Sequence, residues 1–275
     1  MAFGIIVLAV EVVGGVLSNS LVLYSDAAHM STDVASIALA YAAITIATRP
    51  ANASKSFGYA RAEIVAAFLN ALALWGLTAF FFFEAWRRLR DPPSINAPIV
   101  IVVGVVSLVA NVSLALLLRK GSGHNLNVRS AFLHILSDAL GSAAAIVAGL
   151  GIYYYDARWL DPATTFVIGA LILVWTWRLT RETLHILLEG TPVALSPGVV
   201  KDAIKNVPGV SDVHDLHVWS LTTGNDNLSA HVVVTDPTRG PEVVRMIREC
   251  LRDAHGLTHV TIEVEAVGQE CESCN

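Results

Sequence analysis

Residues 20–47 read SLVLYSDAAHMSTDVASIALAYAAITIA, and residues 131–155 read AFLHILSDALGSAAAIVAGLGIYYY. Each run exceeds the about 20 mostly apolar residues needed to cross about 30 Å of hydrocarbon. Each also carries a His and an Asp four residues apart, His29 with Asp33 and His134 with Asp138. That spacing puts both side chains on one helix face. An Asp in the middle of a span costs about 2.5–3.5 kcal/mol, so two such Asp require compensation of about 5 kcal/mol or more from a partner.

Four further apolar runs, roughly 1–17, 62–85, 98–118 and 163–183, bring the expected spans to six. The segments between them hold Pro, Gly, Asn or charge, which mark breaks. The chain of 275 residues is 54% hydrophobic and 15% charged, well under the about 25% charge of a soluble domain. Residues 1–190 are near neutral, whereas residues 191–275 hold 6 Lys and Arg against 12 Asp and Glu. A formal charge of -5 with no basic block excludes the nucleic-acid binding classes. The first 17 residues have no positive leading segment, and so read as a span and not a secretory signal. At 1.5 Å per residue they reach only about 26 Å, which predicts a start upstream of Met1.

Orientation follows from Lys and Arg near the span ends. With both termini in the cytoplasm, the inner side has Arg49, Lys55, Arg61, Arg119, Lys120, Arg129, Arg178 and Arg181. The outer side has Arg87, Arg88, Arg90 and Arg158, half as many, so the C-terminus is expected inside.

The partner that satisfies two imidazoles and two carboxylates together is a divalent cation, and this donor set suits tetrahedral zinc. Magnesium and calcium prefer all-oxygen shells, and the absence of Cys from the spans argues against copper(I). Cobalt and cadmium overlap zinc in ligand softness and are not separated from it. The competing reading is a proton-conducting or structural cluster; it accounts well for a single His–Asp pair and less well for two matched ones. A zinc hydrolase needs a general base as in HExxH, but Met30 and Ile135 follow the two histidines. The set His29, Asp33, His134 and Asp138 therefore reads as a site that holds and releases an ion, and no enzyme is expected. Asp26, three residues before His29 on the same face, is placed to guide ions toward the site, or is simply a helix-end carboxylate near water. Glu11, Glu63, Asn70, Glu84 and Asn111 also fall in or near spans, and the two amides suit interhelical hydrogen bonds.

After Pro192 the pattern changes. Ser196-Pro197 opens a helix by the cap-then-proline rule. VSDVHDLHVWSL and NLSAHVVVT alternate around TTGND as a hairpin, a helix runs from about Pro241 to Ala254, and HVTIEVEAV forms a last strand. This is a small α+β unit of α-β-β-α-β order. On a flat strand His214 and His217, three apart, point to opposite faces. On the last strand Val260, Ile262 and Val264 form the core face, leaving His259, Thr261, Glu263 and Glu265 on the other. That face holds metal with His217 or His231, or is simply solvated. Cys271 and Cys274 form a CxxC at the end of the chain, half of a tetrahedral site, while Cys250 sits on an apolar helix face.

The runs SNSLVLYSDAAHMSTDVASIALA, SFGYARAEIVAAFLNAL, LNVRSAFLHILSDALGS and VHDLHVWSLTTGNDNLSAHVVV resemble the cation diffusion facilitator family, in its zinc-transporting branch. The resemblance covers nearly the whole chain. It implies a membrane bundle of six transmembrane helices over residues 1–190 and a ferredoxin-like cytoplasmic domain over residues 191–267, followed by a tail, 268–275. It also implies a homodimer in a lipid bilayer, and export of zinc in exchange for protons. The family's transport site falls on His29, Asp33, His134 and Asp138, and a second, regulatory metal site on His217, His231, Glu265 and, less closely, His259. Tyr59, Ala60 and Arg61 stand where some members have a His for a peripheral site, and the loop between the fourth and fifth spans has only His124. A membrane-anchored zinc sensor that moves no metal is the alternative.

Overall fold

The structure, a computed structural model, describes residues 2–119 and 126–268. Six long helices come first: α1 (Ala2–Ser18), α2 (Leu21–Ala47), α3 (Ala62–Arg90), α4 (Ala97–Arg119), α5 (Leu126–Tyr155) and α6 (Leu160–Leu187). Five of them are long and apolar enough to cross a membrane, and the shorter apolar stretch Gly4–Ser18 of α1 is the sixth span. Their outward faces carry Leu, Val, Phe and Trp side chains open to the surroundings, such as Phe83, Leu117 and Val174. In water such a surface would be unfavourable; in hydrocarbon it is the solvent-compatible one.

The chain divides into two compact units, one of residues 2–39 with 69–178 and one of residues 40–68 with 179–268. In the first unit α4 packs along α5 and against α1. Absence of side chains allows this approach: a Cβ on Gly104 would lie 2.8 Å from Ile146, one on Gly149 2.9 Å from Ile101, and one on Gly14 2.5 Å from Val103. Small residues at helix contacts are how membrane helices gain packing, since lipid offers no hydrophobic drive between them. Asp161, fully buried at the start of α6, ties down α2. It accepts from the Ser20 hydroxyl and from the backbone N–H of Leu21 (2.7 Å) and Val22 (3.3 Å). It thereby satisfies donors that every helix leaves unpaired in its first turn. Asn70 of α3 accepts from Ser36 of α2 at 2.6 Å, the interhelical bond expected of it, whereas Asn111 Nδ2 has no partner.

In the second unit α7 (Pro197–Lys205), β1 (Val210–Thr222), β2 (Asn225–Val234), α8 (Gly240–His255) and β3 (His259–Ala266) follow in the expected order, with a 3₁₀ turn at Pro237–Arg239. β1 and β2 form an antiparallel hairpin, β3 runs parallel to β2, and the sheet order is β1-β2-β3. A parallel neighbour needs a crossover, which α8 supplies. α7 and α8 cover one sheet face, burying Val200, Ile204, Val213, Leu228, Val232, Ile247 and Leu251, with Cys250 packed at the margin. β1 is not flat. His214 pairs with His231 but His217 pairs with Ser229, so β1 spends three residues where β2 spends two, and Asp215 takes φ 48°. This is a bulge, and it corrects the flat-strand expectation: paired residues share a face, so His214 and His217 lie on the same face of the sheet.

Candidate metal sites

α2 and α5 bring the four intramembrane residues together. His29 Nε2 lies 4.0 Å from Asp33 Oδ2, His134 Nε2 lies 3.3 Å from the same oxygen, and His134 Nε2 lies 3.8 Å from Asp138 Oδ2. The rings of His29 and His134 meet edge to face with centroids 6.1 Å apart. Donor atoms held about 2.0–2.1 Å from a tetrahedral ion are about 3.3 Å from one another. The His134–Asp33 spacing already matches this, whereas no three of the four residues bring donor atoms within 4.8 Å of one another, so holding one ion requires α2 and α5 to close further. Asp33 is the link, because its carboxylate joins a histidine from its own helix to one from the other. His29 Nδ1 is buried without a hydrogen-bond partner, which leaves that ring uncommitted to any tautomer by its surroundings. His29 also lines a cavity of about 20 Å³ among Leu74, Leu77, Phe81 and Ile168. Asp26 is buried and is not joined to the four by any ion pair within 4.0 Å; its Oδ1 lies 3.8 Å from where a Cβ on Gly141 would be.

The second cluster is on the sheet face away from the helices. His214 Nε2 is 3.1 Å from Glu265 Oε2, and His231 Nδ1 is 2.8 Å from Glu265 Oε1. His214, His231 and Glu265 each offer one donor atom within 4.8 Å of the others. Register explains the grouping: His214 and His231 are cross-strand partners, and Glu265 is two residues beyond Glu263, which pairs with His231. Glu265 is 8% exposed, and neither its Oε2 nor His214 Nε2 makes a hydrogen bond. A buried carboxylate oxygen beside an unbonded ring nitrogen fits a cation, which would satisfy both. Burial disfavours the imidazolium of His231, but the hydrogen bond to Glu265 and the charges of Glu263 and Asp215 outweigh it, and its pKa is raised.

His259 stands apart from this trio, whereas His217 reaches it through Asp215, whose other carboxylate oxygen lies 3.6 Å from His231 Nε2. His217 bonds Asp215 at 2.9 Å and opens into a cavity of about 820 Å³ lined by Lys55, Arg61 and Trp219. His259 packs edge-on against Phe57, ring centroids 5.8 Å apart. Cys271 and Cys274 lie outside the described residues. His214 escaped the sequence reading because nothing near it signals a bulge: the residue with positive φ is Asp215, where a glycine would have been the usual sign.

Residues 1–188 match the cation efflux transmembrane domain, and residues 197–267 match the cation efflux protein cytoplasmic domain, a dimerisation module. The chain is 43% identical over 260 residues to the metal cation efflux system protein CzcD of Cupriavidus metallidurans, covering 94% of this chain and 82% of that one. It is 37% identical over 260 residues to a cadmium, cobalt and zinc/H(+)-K(+) antiporter of Bacillus subtilis, covering 93% and 84%. It is 37% identical over 268 residues to the zinc transporter ZitB of Escherichia coli, covering 96% and 85%. Six apolar spans, a dimerising cytoplasmic domain and these matches over both parts lead to one assignment: the chain belongs to the cation efflux family, the cation diffusion facilitators, as a multi-pass membrane protein of its zinc-transporting branch that moves metal cations.

Proposed function

We propose that the protein exports zinc from the cytoplasm in exchange for protons, through a transport site made of His29, Asp33, His134 and Asp138. The observation that supports this most is the Asp33 carboxylate, 3.3 Å from a histidine of the other helix, so that both HxxxD pairs serve one ion. Zinc binds deprotonated ligands, and histidine is the side chain best suited to exchanging a proton for a metal. A proton arriving on His29 or His134 removes a donor lone pair and loosens the ion, so metal leaves as protons enter. Two histidines and two carboxylates fill four positions, leaving none for an activated water, in keeping with transport and not hydrolysis. Cobalt and cadmium share the required softness and geometry and are expected substrates as well.

The experiment is zinc uptake into vesicles containing the purified protein, with an imposed pH gradient. Uptake should follow the gradient, and Asp33→Asn or Asp138→Asn should lower it by about 100-fold or more, since even a lost second-shell partner costs about 10–100-fold. Uptake indifferent to the gradient would remove the proton-exchange part. Normal flux in both variants would favour the sensor reading, in which the cytoplasmic domain of residues 191–267 binds metal without transport. The trio His214, His231 and Glu265 is the observation behind that second reading; alongside transport we assign it a regulatory zinc.

A further inference from the structure

The second unit holds a large cavity to which the metal trio contributes no side chain. Its volume is about 820 Å³, within the about 300–1,000 Å³ of small-molecule sites. Every residue lining it belongs to this unit, which also contains the inner ends of α2, α3 and α6. One wall comes from the segment joining α2 to α3, residues 48–61, which reads TRPANASKSFGYAR and holds Arg49, Lys55 and Arg61 with no Asp or Glu. The other wall is β1, with His217 and Trp219. Residues 191–275 have twice as many acids as bases, so the positive charge at the cavity is local to that segment.

The segment is held in shape by its own polar groups. Asn52 Oδ1 accepts from the backbone N–H of Ser54 and of Lys55, each at 3.0 Å, and Asn52 Nδ2 donates to the Tyr59 hydroxyl at 3.1 Å. Gly58 turns the chain with φ 69°, and a Cβ there would lie 3.3 Å from the Arg49 carbonyl oxygen. Two cations are thereby presented with donors to spare. Lys55 is exposed and has no ion-pair partner among the described residues. Arg61 gives Nη2 to Glu189 Oε1 at 3.0 Å, but its Nε–H is buried and has no acceptor. Buried donors are nearly always paired, because an orphan has lost its bonds to water. An anionic oxygen would satisfy both groups, and a guanidinium beside an ammonium is the pairing that suits phosphate.

The place of the cavity selects the kind of phosphate. With the C-terminal domain in the cytoplasm, residues 48–61 join two spans at the inner membrane surface, where anionic lipid headgroups attract Lys and Arg. The lining also includes Val65, at the inner end of α3 and 43% exposed, and Phe57, 51% exposed. An exposed apolar side chain on a span faces acyl chains, so the lining is continuous through Val65 with the lipid-facing surface. Tyr59 and Trp219, each an apolar ring with a polar tip, are of the type that settles at headgroup level. We propose that this cavity seats the phosphodiester headgroup of an anionic lipid of the cytoplasmic leaflet, with Lys55 and Arg61 holding the phosphate and the acyl chains leaving past Val65. Phosphate free in solution offers the same oxygens without the chains. Lipid binding here needs neither the transported ion nor proton exchange.

Native mass spectrometry of the full chain in detergent counts retained lipid as phosphatidylglycerol or phosphatidylcholine is titrated in. The native chain should hold phosphatidylglycerol about 10-fold more tightly than phosphatidylcholine, as two cations near an anionic headgroup allow. Lys55→Gln should weaken phosphatidylglycerol binding by about 5-fold, and Lys55→Gln with Arg61→Gln by about 20-fold. Arg49→Gln removes a charge from the same segment at a residue outside the cavity lining, and should leave binding near the native value. Lys55→Arg keeps the charge at an exposed position and should bind as the native chain does. Equal weakening by Arg49→Gln and Lys55→Gln overturns the site, by making the attraction one of general surface charge. Equal binding of the two lipids by the native chain overturns it too, as does loss of binding in Lys55→Arg, which makes the residue structural. Glycerophosphoglycerol, the same headgroup without acyl chains, and inorganic phosphate serve as competitors. Each should displace the lipid only at about 100-fold excess or more, since neither buries a chain. Displacement by either at a concentration equal to that of the lipid overturns the lipid assignment in favour of free phosphate.

Discussion

In the proposed function Asp33 and Glu265 do the same work in different solvents: Asp33 lies 3.3 Å from His134 of another helix, and Glu265 lies within 3.1 Å of both His214 and His231. The trio in the cytoplasmic domain makes a sharp test of residue assignment. His214→Ala should weaken zinc binding there by about 10-fold or more, whereas His217→Ala should weaken it far less, since His217 reaches the trio only through Asp215. Calorimetric titration of the full chain carrying Asp33→Asn, which removes a ligand of the proposed transport site, reads this directly. A second residue-scale expectation concerns Asp212, whose carboxyl is held below its ordinary range by the Lys205 ammonium 2.7 Å away. A lowered carboxyl pKa contributes stability at neutral pH that is lost as pH falls through the folded value, below about 4. Because the pair is exposed, its worth is about 0.2–1 kcal/mol. Lys205→Met should therefore lower the unfolding midpoint slightly at pH 7 and have no effect near pH 3, as followed by thermal denaturation.

At the scale of helices and strands, packing depends on what is missing as much as on what is present. A side chain on Gly149 would strike Ile101, whereas one on Gly76 of α3 would meet nothing within 4 Å. Gly149→Leu should destabilise the bundle by about 1–3 kcal/mol through overpacking, and Gly76→Leu should not; detergent melting curves of the two variants compare them. The spans, the hairpin, α8 and both HxxxD pairs were legible in the sequence, because hydrophobic run length and four-residue spacing are local quantities. Facing was not. α1 is apolar nearly all round, so no stripe shows which side Glu11 takes, and only α4 packed against it reveals that the carboxylate points inward. Likewise the alternation of β1 is interrupted by one residue with no glycine to announce it. Parity counted along the strand therefore assigned His214 to the wrong face, while the same counting placed Glu265 correctly on the unbroken β3.

For the whole molecule, a dimerising cytoplasmic domain attached to a bundle without a water-compatible surface predicts a pair of chains in one membrane. Native mass measurement in detergent should give twice 29.4 kDa for the full chain, and removal of residues 191–275 should shift the protein toward a single-chain mass. The long separation of the two HxxxD pairs along the chain has a further meaning, one of time. About a hundred residues lie between Asp33 and Asp138, and at about 5–20 residues per second of synthesis the α2 helix exists for roughly 5–20 s before its partner is made. During that interval its His and Asp have neither the opposite helix nor a shared ion, so the ribosome delivers to the membrane a span that completes itself only when α5 arrives.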